Sequence, residues 1–505
     1  MTTTDDRPHT PEPPGDPAPA RPARTRAPWL APLGRRLHFY AGILVGPFIL
    51  IAALTGALYA LTPQIERVVY ADELRAPVTD GAVALTLADQ VEAAQAYLGD
   101  DDVTLSAVRP APNPGDTTRI MYLQDGLAES ESRAVFVDPG TGEIRGDLTV
   151  YGTSGALPLR TWIDNLHRGL HLGDVGRLYS ELAASWLGVV VLAGVGIWIA
   201  RYRRTRNRRE MVRPSNRRRG HRRIFSWHAS TGIWLALGAL FLASTGITWS
   251  QYAGANVSEL RTAAAWATPA LSTAIEDDGG GAVDPDDHAN HTPDEHAEHT
   301  GHAEHTGHGG ATPDEESAQA AVDDPAMFDA VLALGQTVNI TTGLVEIKPP
   351  TEVGSAWTVN EIQRSYPTQV DGVAIDPSSM TVVDRVDFDE YPFVAKLARW
   401  GIDIHQGTMF GLPNQILLFL TASALAAMVV MGYLMWWKRR PTRGFGAAPE
   451  PEAWAAAPWW GRVVVVAVGV LVGLWLPLLG YTLAAFVLVD VALGLRRRRR
   501  STSHT

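Results

Sequence analysis

The chain of 505 residues contains no cysteine. That absence excludes disulfides, thiolate-held iron–sulfur clusters and covalent c-type haem attachment. Any folded part outside a membrane must be stable without cross-links, and any porphyrin must be held by packing and by axial ligands other than thiolate. An early apolar core is missing too. The first thirty residues are rich in Pro, Asp and Arg, so no cleavable signal peptide is expected and the tail 1–34 reads as disordered. Charge is scarce in four runs, Phe39–Leu61, Leu178–Ala200, Ala229–Trp249 and Leu412–Trp437. Each reaches about 20 residues, enough for a helix to cross about 30 Å of hydrocarbon.

Basic residues cluster between these runs and set the expected orientation. The loop 201–223 carries twelve arginines and one acidic residue; Arg35 and Arg36 flank the first run, Lys438, Arg439 and Arg440 follow the fourth, and Arg496–Arg500 come near the end. The long segments after runs one and three are acidic. Both termini and the basic clusters are therefore expected on the cytoplasmic side of a bacterial-type plasma (inner) membrane. Topogenic charge accounts for the arginine loop, and no nucleic-acid partner is expected. The cytoplasmic segments hold no dinucleotide fingerprint in a strand–turn–helix setting.

What is present is a chain that repeats itself. His38, Gly42, Thr55 and Gly56 align without gaps with His228, Gly232, Thr245 and Gly246 as His-x3-Gly-x12-Thr-Gly. Trp162, His167 and Gly169 align with Trp400, His405 and Gly407 as Trp-x4-His-x-Gly. Two units, roughly 30–205 and 222–440, each read span, outer domain, span, a parallel repeat. The first outer domain reads as a helix over Leu85–Leu98, then strands around Val103–Val108, Arg119–Leu123 and Arg133–Val137, a turn at Asp138–Gly142 and a strand at 143–145. The second reads as a helix over Phe328–Leu334 and strands at Gly343–Ile347, Ala356–Asn360, Gly372–Ile375 and Thr381–Val383.

The expected division is a tail 1–34, a first span 35–62, an outer domain 63–160, an outer-interface segment with the second span 161–200, and the arginine loop 201–223. A third span 224–250, a second outer domain 251–398, an interface segment with the fourth span 399–437, and a cytoplasmic linker 438–461 follow. Two short membrane segments over 462–495, broken by Pro477 and Gly480, and a basic tail 496–505 complete it. The expected fold class is a mainly α membrane protein: a four-helix core bundle from an internal duplication, two extracytoplasmic α+β domains and a C-terminal hydrophobic hairpin.

Histidines at the edges of membrane helices are costly and point to function. One alone is most simply an interfacial polar group. Four in a duplicated arrangement suit two haem irons, one near each face. Eighteen residues separate His38 from Gly56, about 27 Å of helix, so His38 and His228 sit near the cytoplasmic face and Gly56 and Gly246 near the outer one. Facing helices of a bundle commonly hold cofactors, so His38 and His228 are the expected ligands of one haem. His405, with His167 or its rival His171, is expected to hold the other. Gly42 and Gly232 remove side-chain bulk where a flat macrocycle fits. Arg168 and Arg177 are candidates for propionate pairing, with snorkelling as the plain alternative. The Thr55 and Thr245 hydroxyls are expected to bond to helix backbone.

Within the second outer domain, an insertion over 277–316 has no hydrophobic period and reads as disordered. His288, His291, His296, His299, His302, His305 and His308 lie in it among Glu295, Glu298 and Glu304. Imidazole with carboxylate suits Cu(II), Zn(II) or Ni(II), held as several weakly bound, exchangeable ions.

Leu37-His38 with Leu54-Thr55-Gly56, the run Leu166–Leu170 and the run His405–Gly411 resemble the PepSY-associated transmembrane family, which includes iron-regulated membrane proteins and inner-membrane ferric-siderophore reductases. Val135–Pro139 and Val373–Pro377 look like the ends of PepSY domains. The resemblance covers about residues 30–440. It implies four core spans, PepSY domains outside, and, as in the reductase members, haem b bound non-covalently by His38, His167, His228 and His405. The insertion and the C-terminal module depart from the family pattern and make copper as plausible a substrate as siderophore iron. The expected activity is that of a di-haem transmembrane electron carrier, with a haem-dependent metal reductase as its enzymatic reading, reducing an extracytoplasmic ferric or cupric complex. Its electrons are expected from quinol or a separate cytoplasmic reductase, and its other partner is membrane lipid. The rival readings are a non-redox metal-binding chaperone or sensor, and a PepSY-type regulator of exported proteins.

Overall fold

A computed structural model describes residues 29–78, 83–206, 208–275, 324–352, 354–439, 454 and 457–502. Most of the N-terminal tail, the insertion with its seven histidines and much of the linker lie outside the described residues.

The chain opens with α1 (Leu30–Leu44), α2 (Gly46–Val69) and the single turn α3 (Ala71–Leu74). Hydropathy runs straight through the boundary between α1 and α2, but the helix steps at Val45. Pro47 has no N–H to give to the Ile43 carbonyl, so one helical hydrogen bond is lost there. The Tyr433 hydroxyl donates to that carbonyl instead, at 2.5 Å. In an apolar bundle no water is at hand to take this role.

Helix α4 (Leu87–Leu98) and strands β1 (Val103–Arg109), β2 (Thr118–Gln124), β3 (Glu131–Val137) and β4 (Ile144–Tyr151) follow. The chain re-enters the bundle through α5 (Pro158–Gly169) and α6 (Gly173–Tyr202), turns at α7 (Arg209–Val212), and continues as α8 (His221–Thr248) and α9 (Tyr252–Ala263). Next come α10 (Ala326–Val338), β5 (Val345–Lys348), β6 (Trp357–Glu361), β7 (Gly372–Asp376) and β8 (Thr381–Val386). The described chain ends with α11 (Phe393–Gln406), α12 (Gly411–Arg439), α13 (Trp459–Trp475) and α14 (Pro477–Thr502).

Among the described residues, α2, α6, α8 and α12 are the helices long and apolar enough to cross a membrane. Their shared core is built largely on small residues, Ala41, Ala183, Ala239 and Ala243, with Ile49, Trp186 and Leu187 filling between them. Small side chains let helices approach closely where the hydrophobic effect gives no drive to associate. Glu181, almost fully buried on α6, accepts hydrogen bonds from the backbone N–H of Tyr252 (2.9 Å) and Ala253 (3.1 Å). A carboxylate is thus placed at the N-terminus of α9, where unpaired N–H groups favour an anion.

The strands expected in two separate domains form one antiparallel sheet, in the order β4-β3-β2-β1-β5-β6-β7-β8. Strands β1 and β5 join the halves, with Val108 opposite Ile347. Helices α4 and α10 share one hydrophobic core with the sheet, containing Val91, Val108, Phe328, Val331, Ile347 and Trp357. Across the seam, Arg109 Nε donates to Glu346 Oε2 at 2.7 Å, both side chains being buried. Burial pushes the Glu346 carboxyl up, but Arg109 and Lys348 outweigh it and hold the group below the usual carboxylate range. Asp329 of α10 accepts from the N–H groups of Leu87 and Ala88, capping α4 of the other half.

The C-terminal helices α13 and α14 form a hairpin that closes where Gly473 meets Gly480; a Cβ on Gly480 lies 2.6 Å from the Gly473 oxygen. The hairpin docks on the bundle. Leu479 is buried in the helical core, Trp186 Nε1 donates to Thr482 Oγ1 (2.9 Å), and Asn256 Nδ2 donates to the Trp475 carbonyl (2.9 Å).

Candidate functional site

Two pairs of histidines lie in the bundle, one at each end: His38 and His228 face each other, and His167 and His405 line one cavity. At the arginine-rich end, His38 of α1 faces His228 of α8, with ring centres 6.2 Å apart and planes at 76°. The His38 Nδ1 lies 2.8 Å from the Val190 carbonyl of α6. A carbonyl only accepts, so Nδ1 carries the proton and Nε2 keeps its lone pair. Gly194, one turn further along α6, makes this approach possible: a Cβ there lies 3.1 Å from His38 Cε1. The buried His228 ring lies against the Met428 backbone of α12.

At the sheet end the histidines come from the short helices α5 and α11. These stand apart from the spans because the chain reverses through left-handed residues: Leu170 and His171 before α6, Gly407 and Gly411 before α12. At the first reversal, a Cβ on Gly176 lies 1.7 Å from the Gly169 oxygen, a contact only glycine permits. His167 and His405 line one cavity, with about 1300 Å³ of empty space when its open mouth is included. Ile49, Leu187 and Leu425 wall its bundle part, and Asp164, Arg168 and Gln406 come from the short helices.

A threonine supports each of these two imidazoles. The Thr55 hydroxyl donates to Ile51 O (2.8 Å) and lies 2.9 Å from His167 Nδ1. The Thr245 hydroxyl donates to Phe241 O (2.8 Å) and lies 2.5 Å from His405 Nδ1. Each hydroxyl has one proton, and the helix carbonyl takes it. Both Nδ1 atoms therefore donate to the threonines, which again leaves Nε2 as the lone-pair nitrogen. Gly56 leaves the space for His167, since a Cβ at that position comes within 3.1 Å of Cε1. Trp249 packs edge-on against His405, ring centres 5.6 Å apart.

The other residues singled out from sequence divide in several ways. Gly56 and Gly246 both line the cavity, whereas a Cβ on Gly42 meets nothing within 4 Å and one on Gly232 comes within 3.0 Å of Met428 Cε. Arg168 lines the cavity, donates to the Tyr151 hydroxyl (3.1 and 3.2 Å) and to Asn165 Oδ1 (3.0 Å), and pairs at 3.9 Å with Asp164. Arg177, on α6, sits at the close approach of Gly169 to that helix. His171 is turned away from the cavity. Its ring lies against Trp162 at 5.1 Å in a separate pocket. Among the described residues no cluster of three or more His, Asp or Glu side chains is arranged to hold a metal ion, and the seven insertion histidines lie outside those residues.

Sequence reasoning gave Thr55 and Thr245 only a backbone bond; they make that bond and the imidazole contact together. The signal was present in the repeated Thr-Gly step, which sets a hydroxyl and a gap side by side on one helix. Gly194 and Tyr433 carried no comparable signal, because their partners lie on distant helices.

No curated protein matches the chain. The four histidines and all eight strands fall within residues 35–439, which match the model of the PepSY-associated TM region. The chain belongs to that family.

Proposed function

We propose that the protein is a di-haem b-type electron carrier, passing single electrons across a plasma membrane to a ferric or cupric complex on the sheet side. The observation that carries this reading is the placing of four histidines at opposite ends of the bundle, His38 facing His228 and His167 sharing a cavity with His405, three of them with Nδ1 engaged as a donor. The fit can be tested on distance. An imidazole nitrogen about 2 Å from a metal puts the ring centre about 3 Å from it, so two rings sharing one metal stand about 6 Å apart. His38 and His228 stand at 6.2 Å. At the sheet end, Gly56 and Gly246 leave a cavity wall without side chains beside His167 and His405. The His228 ring has the Met428 backbone of α12 beside it as its second partner.

Bis-imidazole haem supplies an iron that gains and loses one electron without changing its ligands. The chain's own residues do the rest. His38 with His228, and His167 with His405, would hold the two groups; Val190, Thr55 and Thr245 fix ring orientation and raise ligand basicity. The apolar lining at Ile49, Leu187 and Leu425 keeps water from the bundle interior, and Arg168, tied to Tyr151, is suited to pair with a propionate. His171, which faces another pocket, is not assigned as a ligand.

The arginine loop favours a cytoplasmic position for the His38–His228 end. Electrons then enter there from quinol or a separate reductase and leave on the sheet side, where reduction weakens a ferric chelate and frees its metal. The insertion histidines, on this reading, collect transition-metal ions near the exit. A reduced-minus-oxidised spectrum of protein purified from haem-replete cells tests the proposal. A b-type spectrum is expected, with half of the haem lost in His38→Ala and the other half in His405→Ala. A spectrum without b-type bands overturns it.

A further inference from the structure

Helix α5 separates two spaces with its two faces. Asp164, His167 and Arg168 line the large cavity, while Pro158, Thr161, Trp162 and Asn165 line a second pocket. At 3.6 residues per turn the two sets occupy adjacent faces of α5, with Thr161 and Arg168 nearly in line. The second pocket therefore adjoins the histidine cavity across α5, with Arg168 reaching Asn165 and Tyr151 of its lining. Strands β3 and β4 close it from the other side through Glu131 and Tyr151, and it encloses about 530 Å³, open mouth included.

Its composition is unusual for a surface hollow. The Trp162 indole is 54 % exposed, and the His171 ring lies against it, tilted by 36°. Among the described residues no hydrogen bond reaches the His171 ring, which sits on a residue held at φ 55°. Glu131 contributes a carboxylate, with one oxygen accepting from Ala128 N (3.0 Å) and the other not so engaged. Asn165 joins the two spaces, since it lines the pocket while its Oδ1 accepts from the cavity-lining Arg168. An exposed indole face beside a carboxylate favours a flat cation.

We propose that this pocket is the docking site of the electron acceptor, a small planar aromatic chelate of copper(II) or iron(III) with neutral or positive charge. The proposal rests on the redox reading above and adds its exit. The chelate stacks on Trp162, with the Glu131 carboxylate matching its charge and His171 closing one edge. A haem held by His167 and His405 would supply the one electron, giving it up across α5 and being oxidised by one unit. The chelated metal falls by one oxidation state, no covalent bond forms or breaks, and no proton is required.

The test uses the full-length protein in neutral-lipid nanodiscs and two probes. Zinc(II)–phenanthroline, which cannot be reduced, reports binding by calorimetry; copper(II)–phenanthroline reports reduction. Trp162→Ala and Glu131→Gln are each expected to weaken zinc-complex binding at least tenfold with the haem spectrum unchanged, while Trp162→Phe retains most of the affinity. Copper reduction should slow in the same order. Because Trp162 belongs to α5, the unchanged spectrum shows that the helix still folds, and Glu131→Gln gives an independent arm on the sheet. Equal affinity in wild type and both variants overturns the pocket assignment while leaving a haem spectrum intact. Trp162-dependent binding in a protein without haem instead removes the redox reading and keeps the pocket as a binding site.

Discussion

Replacing Thr245 by valine keeps the shape of the side chain and removes one hydroxyl. In the native protein that hydroxyl stands 2.5 Å from His405 Nδ1, inside a site where water does not readily substitute. The variant leaves a buried N–H unpaired, a cost of about 1–3 kcal/mol. At tenfold per 1.4 kcal/mol, retention of a group ligated by His405 should fall about ten- to a hundredfold, the range seen when outer partners of metal-binding histidines are removed. The assay is haem content after detergent washing, measured in a His38→Ala background so that only the sheet-end site reports. Thr55→Val should act through His167 by the same route, and the double variant should lose more than either. Haem retained in Thr245→Val at the level of its His38→Ala parent refutes the argument that the threonine fixes the imidazole.

Further expectations follow from single contacts. Tyr433→Phe strips the Ile43 carbonyl of its donor at the Pro47 step, so thermal unfolding in detergent should reveal a loss of about 1–3 kcal/mol. Gly194→Ala should disturb His38, and Gly56→Ala should disturb His167, because each added Cβ comes within 3.1 Å of a ring carbon; spectra should show damage at opposite ends of the bundle, and the same spectral change from both would contradict the geometry. For pH, Glu346 is the group to follow. Its folded pKa is depressed, so its stabilisation is complete above the unfolded value of about 4.3 and is lost as pH falls through the lower folded value. An acid titration followed by sheet circular dichroism should steepen in that window, and Glu346→Gln should flatten it.

The spans were legible because a long apolar run permits little besides a helix in lipid, and the paired histidines because their motifs recur at fixed spacing. The step at Val45 was written in Gly46-Pro47, but hydropathy averages across a missing hydrogen bond. Nothing local could reveal that Val108 pairs with Ile347, since strand periodicity shows which face is buried and is silent about which edge finds a neighbour. Two residues carried a partial hint: Arg109 follows Val108 at the end of β1 and Glu346 lies between Val345 and Ile347, and buried charges need partners. Helix α9 was missed for a related reason. Its stability draws on Glu181, a residue that sequence alone reads as an oddity within a span.

The seam between β1 and β5 also restricts what can be cut. Each half contributes only part of the shared hydrophobic interior, and the cap of α4 is an aspartate from α10. A fragment ending in the arginine loop would expose an unpaired strand edge and a bare apolar face, the hallmarks of aggregation. Complementary fragments made together should assemble, whereas either made alone should not. The extramembrane lid is thus a brace between two helical legs, and neither leg can be redesigned, swapped or lost without its counterpart.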